Sequence, residues 1–473
     1  MGVIMIPYPA YKSTNLPWLP KIPEHWEIRS IHRICRLQGG SGFPVRYQGC
    51  YTESIPFIKV NALASHISTA RRYDTVSRET AASLGAKVFS RGDIVFAKVG
   101  AALLLHRFEV LPFDCCIDNN MMAMYQISEN NQWLKYTLSL LNFNSLVNPG
   151  AVPSISQSQI AGMSVPCPPR NEQEQIVRYL DSMTAKINKL IRAKKKQIAL
   201  LQEQRQAIIN RAVTKGLDTN VEMKDSGIDW LGKIPKHWTL LPLKRVCRTN
   251  AGISSIIRNY ADDSLVSFLP MERISSTGII DCSEKRLLKD VRNGFTPFAR
   301  NDVVVAKITP CFENGKGACL DILDTDIGFG TTELIVLRNE KDKAIPMFLY
   351  FVTQTSSFRK MGAEVMTGSA GQKRVPADFI ANFKCGIPGI DEQERIVHHL
   401  TTKTKSIDML IERIEMEKEF VLEYKNSLIS SVVTGQTDVR NIPVEDVIPD
   451  DLIPDDESSS EIEEEPITDE SEE

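Results

Sequence analysis

A nineteen-residue stretch occurs twice in this chain. Residues 18–36 read WLPKIPEHWEIRSIHRICR and residues 230–248 read WLGKIPKHWTLLPLKRVCR, with ten positions identical at a constant offset of 212. The identities include Trp18/Trp230, Pro23/Pro235, Trp26/Trp238 and Cys35/Cys247. The likeness resumes in the same order further on. Phe89–Lys98 (FSRGDIVFAK) matches Phe298–Lys307 (FARNDVVVAK), and Asn171–Leu180 (NEQEQIVRYL) matches Asp391–Leu400 (DEQERIVHHL) at an offset of 220. An ordered repeat of this kind means one structural plan used twice, which constrains the architecture before any local propensity is weighed. At 473 residues the chain also exceeds what one core serves, so two to four domains are expected. The centres of the two copies diverge most, as expected when one scaffold carries two ligand preferences.

Those centres read as strands. Apolar and β-branched runs bounded by Gly and Pro occur at Ile55–Val60, Asp93–Val99, Leu265–Leu269, Asp302–Ile308 and Glu333–Leu337. Each copy then passes into a long helix. From Asn171 to Thr214 there is neither Pro nor Gly, and Ile176, Leu180, Met183, Ile187, Ile191, Ile198, Leu201, Ile208 and Ala212 recur at helical spacing. Lys194 and Arg205 interrupt that stripe. The second copy gives Ile396, Leu400, Lys403, Ile407, Ile411, Ile414, Lys418, Val421, Lys425, Leu428 and Val432. Steps of three and four are the coiled-coil rhythm, and both copies share an extra step of four, Ile187 to Ile191 and Ile407 to Ile411. The helix–helix interface is assigned to Ile176, Leu180, Ile187, Ile191, Leu201 and Ile208 on one side. Ile396, Leu400, Ile407, Ile411, Val421 and Leu428 form the other.

Asn171 with Glu174, and Asp391 with Glu394, predict a capping box at each helix start. Gly216 and Gly435 are expected to stop the helices in a left-handed conformation. Residues 170–215 carry 11 basic and 4 acidic side chains, whereas 391–434 carry 6 and 9, so each helix suits the other better than itself. The first helix hands the chain to the second domain at its far end and the second must bring it back, so antiparallel pairing is expected. At 1.5 Å per residue, a helix of this length would make a rod of roughly 66 Å, with a globular domain at each end and an approximate two-fold axis. The fold class expected is α+β. It comprises two similar mixed α/β domains at 1–169 and 218–389, separated by two long antiparallel coiled-coil helices at 170–217 and 390–436. An acidic disordered tail over 437–473 is expected to follow.

The formal charge of −3 hides an asymmetry. Residues 445–473 hold 15 Asp and Glu and no Lys or Arg, which leaves 56 basic against 44 acidic residues elsewhere, a net of +12. A body this basic suits a polyanionic partner. No apolar run approaches the roughly 20 residues that span a bilayer, and residues 1–20 lack the pattern of a signal peptide, so a cytoplasmic protein is expected. The ten cysteines include no C-x-x-C pair, and with seven histidines they show no ligand spacing, so no metal site is expected.

These residues resemble the type I restriction–modification specificity subunit family over nearly everything from Tyr11 to Asp438. The resemblance rests on WLGKIPKHW, GAVPSISQSQI (150–160), AKITPCFENGKGA (306–318), GFGTTE (328–333) and SAGQKRVPADFI (369–380). It also includes the two E-Q-E helices, which end in AVTKG (212–216) and VVTGQTD (432–438). It implies a DNA-binding subunit without catalysis of its own, whose centres are target recognition domains, each reading half of a bipartite asymmetric site. It implies helices that space the halves and dock two methyltransferase subunits, with motor-nuclease subunits as further partners and no membrane. No cofactor is implied in this chain. S-adenosylmethionine, ATP and magnesium belong on the partner subunits.

The residues themselves agree. No G-x-x-x-x-G-K-[ST] loop is present for ATP, and no N-P-P-Y-like segment to stack an extruded adenine. Candidate DNA contacts are polar or basic side chains in the repeated blocks. In the first copy these are Lys98, Ser154, Ser156 and Gln157, with Lys59, Arg71 and Arg72 for phosphates. In the second they are Lys307, Asn314, Lys316, Thr331, Thr332, Gln372, Lys373 and Arg374. Trp18, Trp26, Trp230 and Trp238 are read as packing rather than base-stacking residues. Two rival classes remain. One is a self-contained DNA nuclease or methyltransferase with a cryptic site, Asp93 or Asp302 beside Lys98 or Lys307. The other is a coiled-coil scaffold that never reads DNA.

Overall fold

The computed structural model describes residues 6–64, 66–141, 148, 152–369 and 372–444. They fall into two compact units, Met1–Lys195 with Met416–Glu473, and Lys196–Glu415. In the first unit a four-stranded antiparallel sheet runs in the order Arg36–Gly39, Met121–Tyr125, Ile94–Ala97, Phe108–Val110. A second sheet places Ile55–Ile58 between Asp74–Val76, antiparallel, and Cys116–Ile117, parallel. The central strand explains the arrangement. Ile94, Val95, Phe96 and Ala97 are all buried, and successive side chains of a strand face opposite ways. Ile94 and Phe96 therefore join one core with Trp26 and Trp133, while Val95 and Ala97 join another with Ile58 and Phe89.

The second unit repeats this plan. Cys247–Thr249, Leu334–Asn339, Val303–Ala306 and Gly317–Cys319 form an antiparallel sheet in the equivalent order. Lys285–Leu287, Leu265–Leu269, Ile327–Gly330 and Thr296–Ala299 form the other, with Leu265–Leu269 and Ile327–Gly330 again parallel. Val303 and Val305 face one core and Val304 the other. The sequence duplication is thus a duplication of topology.

A short strand leads into each long helix. Ser164–Cys167 pairs with Glu27–Ser30 before Arg170–Lys215, and Lys384–Ile387 pairs with Thr239–Pro242 before Ile390–Val433. Both helices end as expected, Gly216 at φ +75 and Gly435 at φ +73. Their starts differ from the capping box. Asn171 and Asp391 lie inside the first turn, and Glu174 pairs with Arg170 at 3.3 Å instead of reaching back. The first carbonyls come from Pro169 and Gly389, which accept from Gln173 and Gln393 at 3.0 Å each. The reason is the approach: a chain leaving a strand through Pro168-Pro169 is already turned into the helix two residues earlier than the cap pattern suggested.

Within each unit the helical segments pair antiparallel. In the first, Lys425 donates to Asn188 at 2.9 Å and Lys194 to Glu417 at 2.7 Å. In the second, Arg205 meets Asp408 at 2.8 Å. The two interruptions of the apolar stripe, Lys194 and Arg205, are therefore ion-paired across the interface. Ile176, Leu180, Ile187 and Ile191 share a core with Leu428 and Val432. In the second unit Ile396 and Leu400 pack with Ile209, and Ile208 is only half-buried, so the buried face lies one residue round from the expected one. Leu201, Ile411 and Val421 are half-buried, and Ile407 is buried.

The chain stays packed beyond the second helix. Val439 is fully buried, and Gln175 donates to the carbonyls of Val439 and Ile442 at 3.0 and 2.8 Å. The boundary expected at residue 437 thus falls inside ordered chain, because a buried amide from the first helix holds it. The acidic segment 445–473 lies outside the described residues. No helix among the described residues is long and apolar enough to cross a membrane.

Candidate nucleic-acid interface

Each central strand ends in a lysine that accepts a second loop onto its backbone. Lys98 N–H donates to Asn120 at 2.8 Å, its carbonyl accepts from Ile155 at 3.0 Å, and Val99 bridges Ser154. Lys307 N–H donates to Glu333 at 2.9 Å, its carbonyl accepts from Val375 at 2.8 Å, and Ile308 bridges Arg374. The two copies build the same joint from unlike loops. In the first unit it gathers Lys98, Ser154, Ser156 and Gln157. In the second it gathers Lys307, Thr331, Thr332, Gln372, Lys373 and Arg374. Asn314 and Lys316 lie on the turn that follows Lys307 and returns to pair with Ala306, whose N–H meets the Lys316 carbonyl at 2.9 Å.

Several of these side chains already have work inside the fold. Ser156 caps the helix Gln157–Ala161 in a reciprocal box with Gln159. Arg374 forks onto Glu333 at 2.9 Å and holds that carboxyl below its ordinary range. Lys316 donates to the carbonyl of Met271 at 3.2 Å. Thr331 accepts from the Glu333 N–H at 3.3 Å. Lys59 pairs with Asp74 at 2.9 Å, and Arg72 lies over the Tyr51 ring at 4.1 Å. Gln157, Gln372 and Lys373 are exposed, and Lys98 and Lys307 are half-buried at the strand ends. The Lys98 ammonium lies so close to Gly39 that a Cβ there would come within 2.8 Å of it.

Sequence reading missed a neighbouring group. Thr331 and Thr332 line a cavity of about 360 Å³ with Phe268, Arg286 and Phe295. The Arg286 guanidinium lies 3.6 Å over the Phe268 ring, and Phe268 and Phe295 meet edge to face at 5.0 Å. Glu284 accepts from the same guanidinium at 2.7 Å, so the stack offers a flat surface with its charge paired, of a kind on which a base can lie. These residues come from separate segments, so no local spacing betrays them.

The tryptophans are packing groups in part. Trp26 and Trp238 are fully buried, Trp230 stacks on Phe383 at 5.0 Å, and Trp18 is 41% exposed. A repeated His–Glu pair and a repeated buried glutamine account for the first two residues of the E-Q-E pattern. Glu172 accepts from Trp26, His25 and Tyr8, and Glu392 accepts from His237 at 2.8 Å. Gln173 and Gln393, both fully buried, accept from Asn130 N–H and Ile345 N–H at 2.9 Å.

The geometry does not suit the nuclease reading. Asp302 is 1% exposed and held bidentate by Arg338 at 2.7 and 2.8 Å while accepting from Ala299 N–H at 2.7 Å. Lys307 lies at the other end of the strand, five residues or roughly 16 Å away. Asp93 stands at the same far end from Lys98, accepting from Ser90 N–H at 2.9 Å, with its pKa raised by burial.

Comparison with known proteins agrees with this picture. A family model described as the type I restriction modification DNA specificity domain matches residues 23–200. The EcoAI type I restriction enzyme specificity subunit of Escherichia coli is 36% identical over 213 residues, 44% of this chain and 34% of that protein. The chain therefore spans about a third of that relative's length. The MjaVIII specificity subunit of Methanocaldococcus jannaschii is 23% identical over 444 residues, 91% of this chain and 98% of its own. A chain from a solved structure of complex assembly and conformational transition in a type I R-M system shares the fold. Its TM-score is 0.62 at 13% identity, covering 87% of this chain and 98% of its own. Residues 23–200 of this chain thus match a type I restriction modification DNA specificity domain.

Proposed function

We propose that this chain is the DNA-reading, non-catalytic specificity subunit of a type I restriction–modification complex, acting in the cytoplasm. The observation that carries this reading is the duplicated joint. Lys98 and Lys307 occupy one position of one scaffold, and the loops docked on them, at Ser154–Ile155 and Arg374–Val375, differ in sequence. A constant cation with a variable polar loop is what two readers of two different half-sites need: phosphate contact for register and side chains for base edges. Each unit reads one part of a split, asymmetric target.

The long helices then serve as spacer and as docking surface for two methyltransferase subunits, with motor-nuclease subunits joining the same assembly. The second helix leaves Met409, Met416, Phe420 and Tyr424 between 43% and 68% exposed. Such a stripe of large apolar side chains suits a protein partner. S-adenosylmethionine, ATP and magnesium act on those partners.

The test is a map of N6-methyladenine across the host genome with the gene intact and deleted. Loss of methylation at one split motif is expected. An unchanged map, with the methyltransferase expressed, would sink the reading.

A further inference from the structure

A cavity of about 1200 Å³ lies wholly within the second unit, between the long-helix segments there and the recognition domain. Arg205, Tyr350 and Arg359 line it. Tyr350 is only 4% exposed, its hydroxyl lies against the Arg205 guanidinium without a partner for its own proton, and Arg205 Nε and Arg359 Nε are buried atoms with no hydrogen-bond partner. All three are donors. Arg205 Nε has the Asp408 carboxylate 2.8 Å away, but off the line of its N–H. Arg359 donates to the side-chain oxygen of Gln206, a neutral group, and among the described residues no carboxylate pairs with it. Burial, and then the charge of Arg205, push the Arg359 pKa down. Gly278, at φ +91, leaves the space beside the Tyr350 hydroxyl free, and a Cβ there would collide with it.

The rest of the lining is arranged by depth. Glu313, Lys405, Glu412 and Glu415 are exposed, at the mouth. The inner wall thus sets two guanidiniums and a phenol against the single carboxylate of Asp408. Buried donors left unmet are destabilising, and paired guanidiniums match an oxyanion better than any neutral group.

We propose that this cavity binds an oxyanion of the phosphate class, gripped by Arg359 and Arg205 with the Tyr350 hydroxyl as third donor. The same chemistry is offered by a free phosphate group and by a nucleic-acid backbone phosphate, and the turn carrying Asn314 and Lys316 forms part of the same wall. Only the second source rests on the DNA-reading function proposed above.

Two readouts on the full chain separate the sources. The first is the Tm against inorganic phosphate at constant ionic strength. For a free-phosphate site the wild-type Tm rises with phosphate as ligand linkage requires. Arg359→Gln then loses the response, with apparent affinity down about tenfold, and Arg359→Lys keeps part of it. The second is the slope of log affinity for duplex DNA against log salt. For a backbone-phosphate site inorganic phosphate leaves Tm unmoved, and Arg359→Gln lowers the slope by about one. If Arg359→Gln does not fold, Tyr350→Phe is carried through both measurements. The proposal is overturned if the variant matches the wild type in both readouts. The phosphate arm needs no target DNA, so it stands or falls apart from the methylation map.

Discussion

Glu172 accepts a 3.1 Å hydrogen bond from the indole N–H of Trp26, tying the start of the first long helix to a side chain 146 residues earlier. His25 and the Tyr8 hydroxyl share the same carboxylate. Its counterpart, Glu392, holds His237, while the buried indole N–H of Trp238 has no partner. Glu172→Ala strands two buried donors, at about 1–3 kcal/mol each, so a loss of about 3 kcal/mol is expected. Glu392→Ala removes a partner from a half-exposed histidine and should cost about 1 kcal/mol. Urea unfolding of the two variants decides it, and equal losses would contradict the account.

The glycines that end the helices are not equivalent. Both take positive φ, but a Cβ on Gly435 would collide with the Pro23 ring, whereas on Gly216 the nearest atoms are 3.3 Å away. Gly435→Ala should therefore cost about 2–4 kcal/mol and Gly216→Ala about 1 kcal/mol. The readout is the urea midpoint at unchanged m-value.

The cross-helix ion pairs differ in shielding. Arg205 and Asp408 are 13% and 28% exposed, Lys194 and Glu417 16% and 43%. Double-mutant cycles should return about 1 kcal/mol for the first and about 0.5 kcal/mol for the second, both falling as salt rises. A larger coupling for Lys194–Glu417 would contradict the exposure argument.

Thiol chemistry reports the packing directly. Burial pushes Cys35, Cys247, Cys319 and Cys385 up to about 12. Cys50, only half-buried, is lowered by hydrogen bonds from Thr52. Under native conditions at pH 8, mass-mapped alkylation should mark Cys50 first. The four buried thiols should react only in denaturant.

Under the proposed function, Lys98→Ala and Lys307→Ala should each weaken duplex binding by a similar factor for every sequence, flattening the salt slope by about one. Gln372→Ala should instead change preference between sequences, by about 1–3 kcal/mol at one base pair. Competition binding with randomised duplexes distinguishes these. A sequence-selective loss for both lysines would reassign them.

Much was legible in the chain itself. The offsets of 212 and 220 specified a duplicated plan, and the four-stranded antiparallel sheet has the same strand order in each unit. Leu265–Leu269 is a strand over the residues expected, while Ile55–Val60 ends two residues early at Ile58. The opposed helix charges anticipated that the two helices pair with each other, whereas the ion pairs of Lys194 and Arg205, the two residues that broke the apolar stripe, emerge only from the fold.

Periodicity says which residues share a face, because the helical and strand repeats are properties of the local backbone. It does not say which distant group will close on a given donor. Tertiary packing alone decided that Ile209 rather than Ile208 is buried, that Ser156 and Arg374 are bound within the fold, and that Pro169 supplies the first carbonyl of the first helix. It also brought Arg205, Tyr350 and Arg359 around one cavity. Hydrogen bonding and desolvation act over a few ångströms in space, and residues separated by a hundred positions or more become neighbours only once the chain has folded.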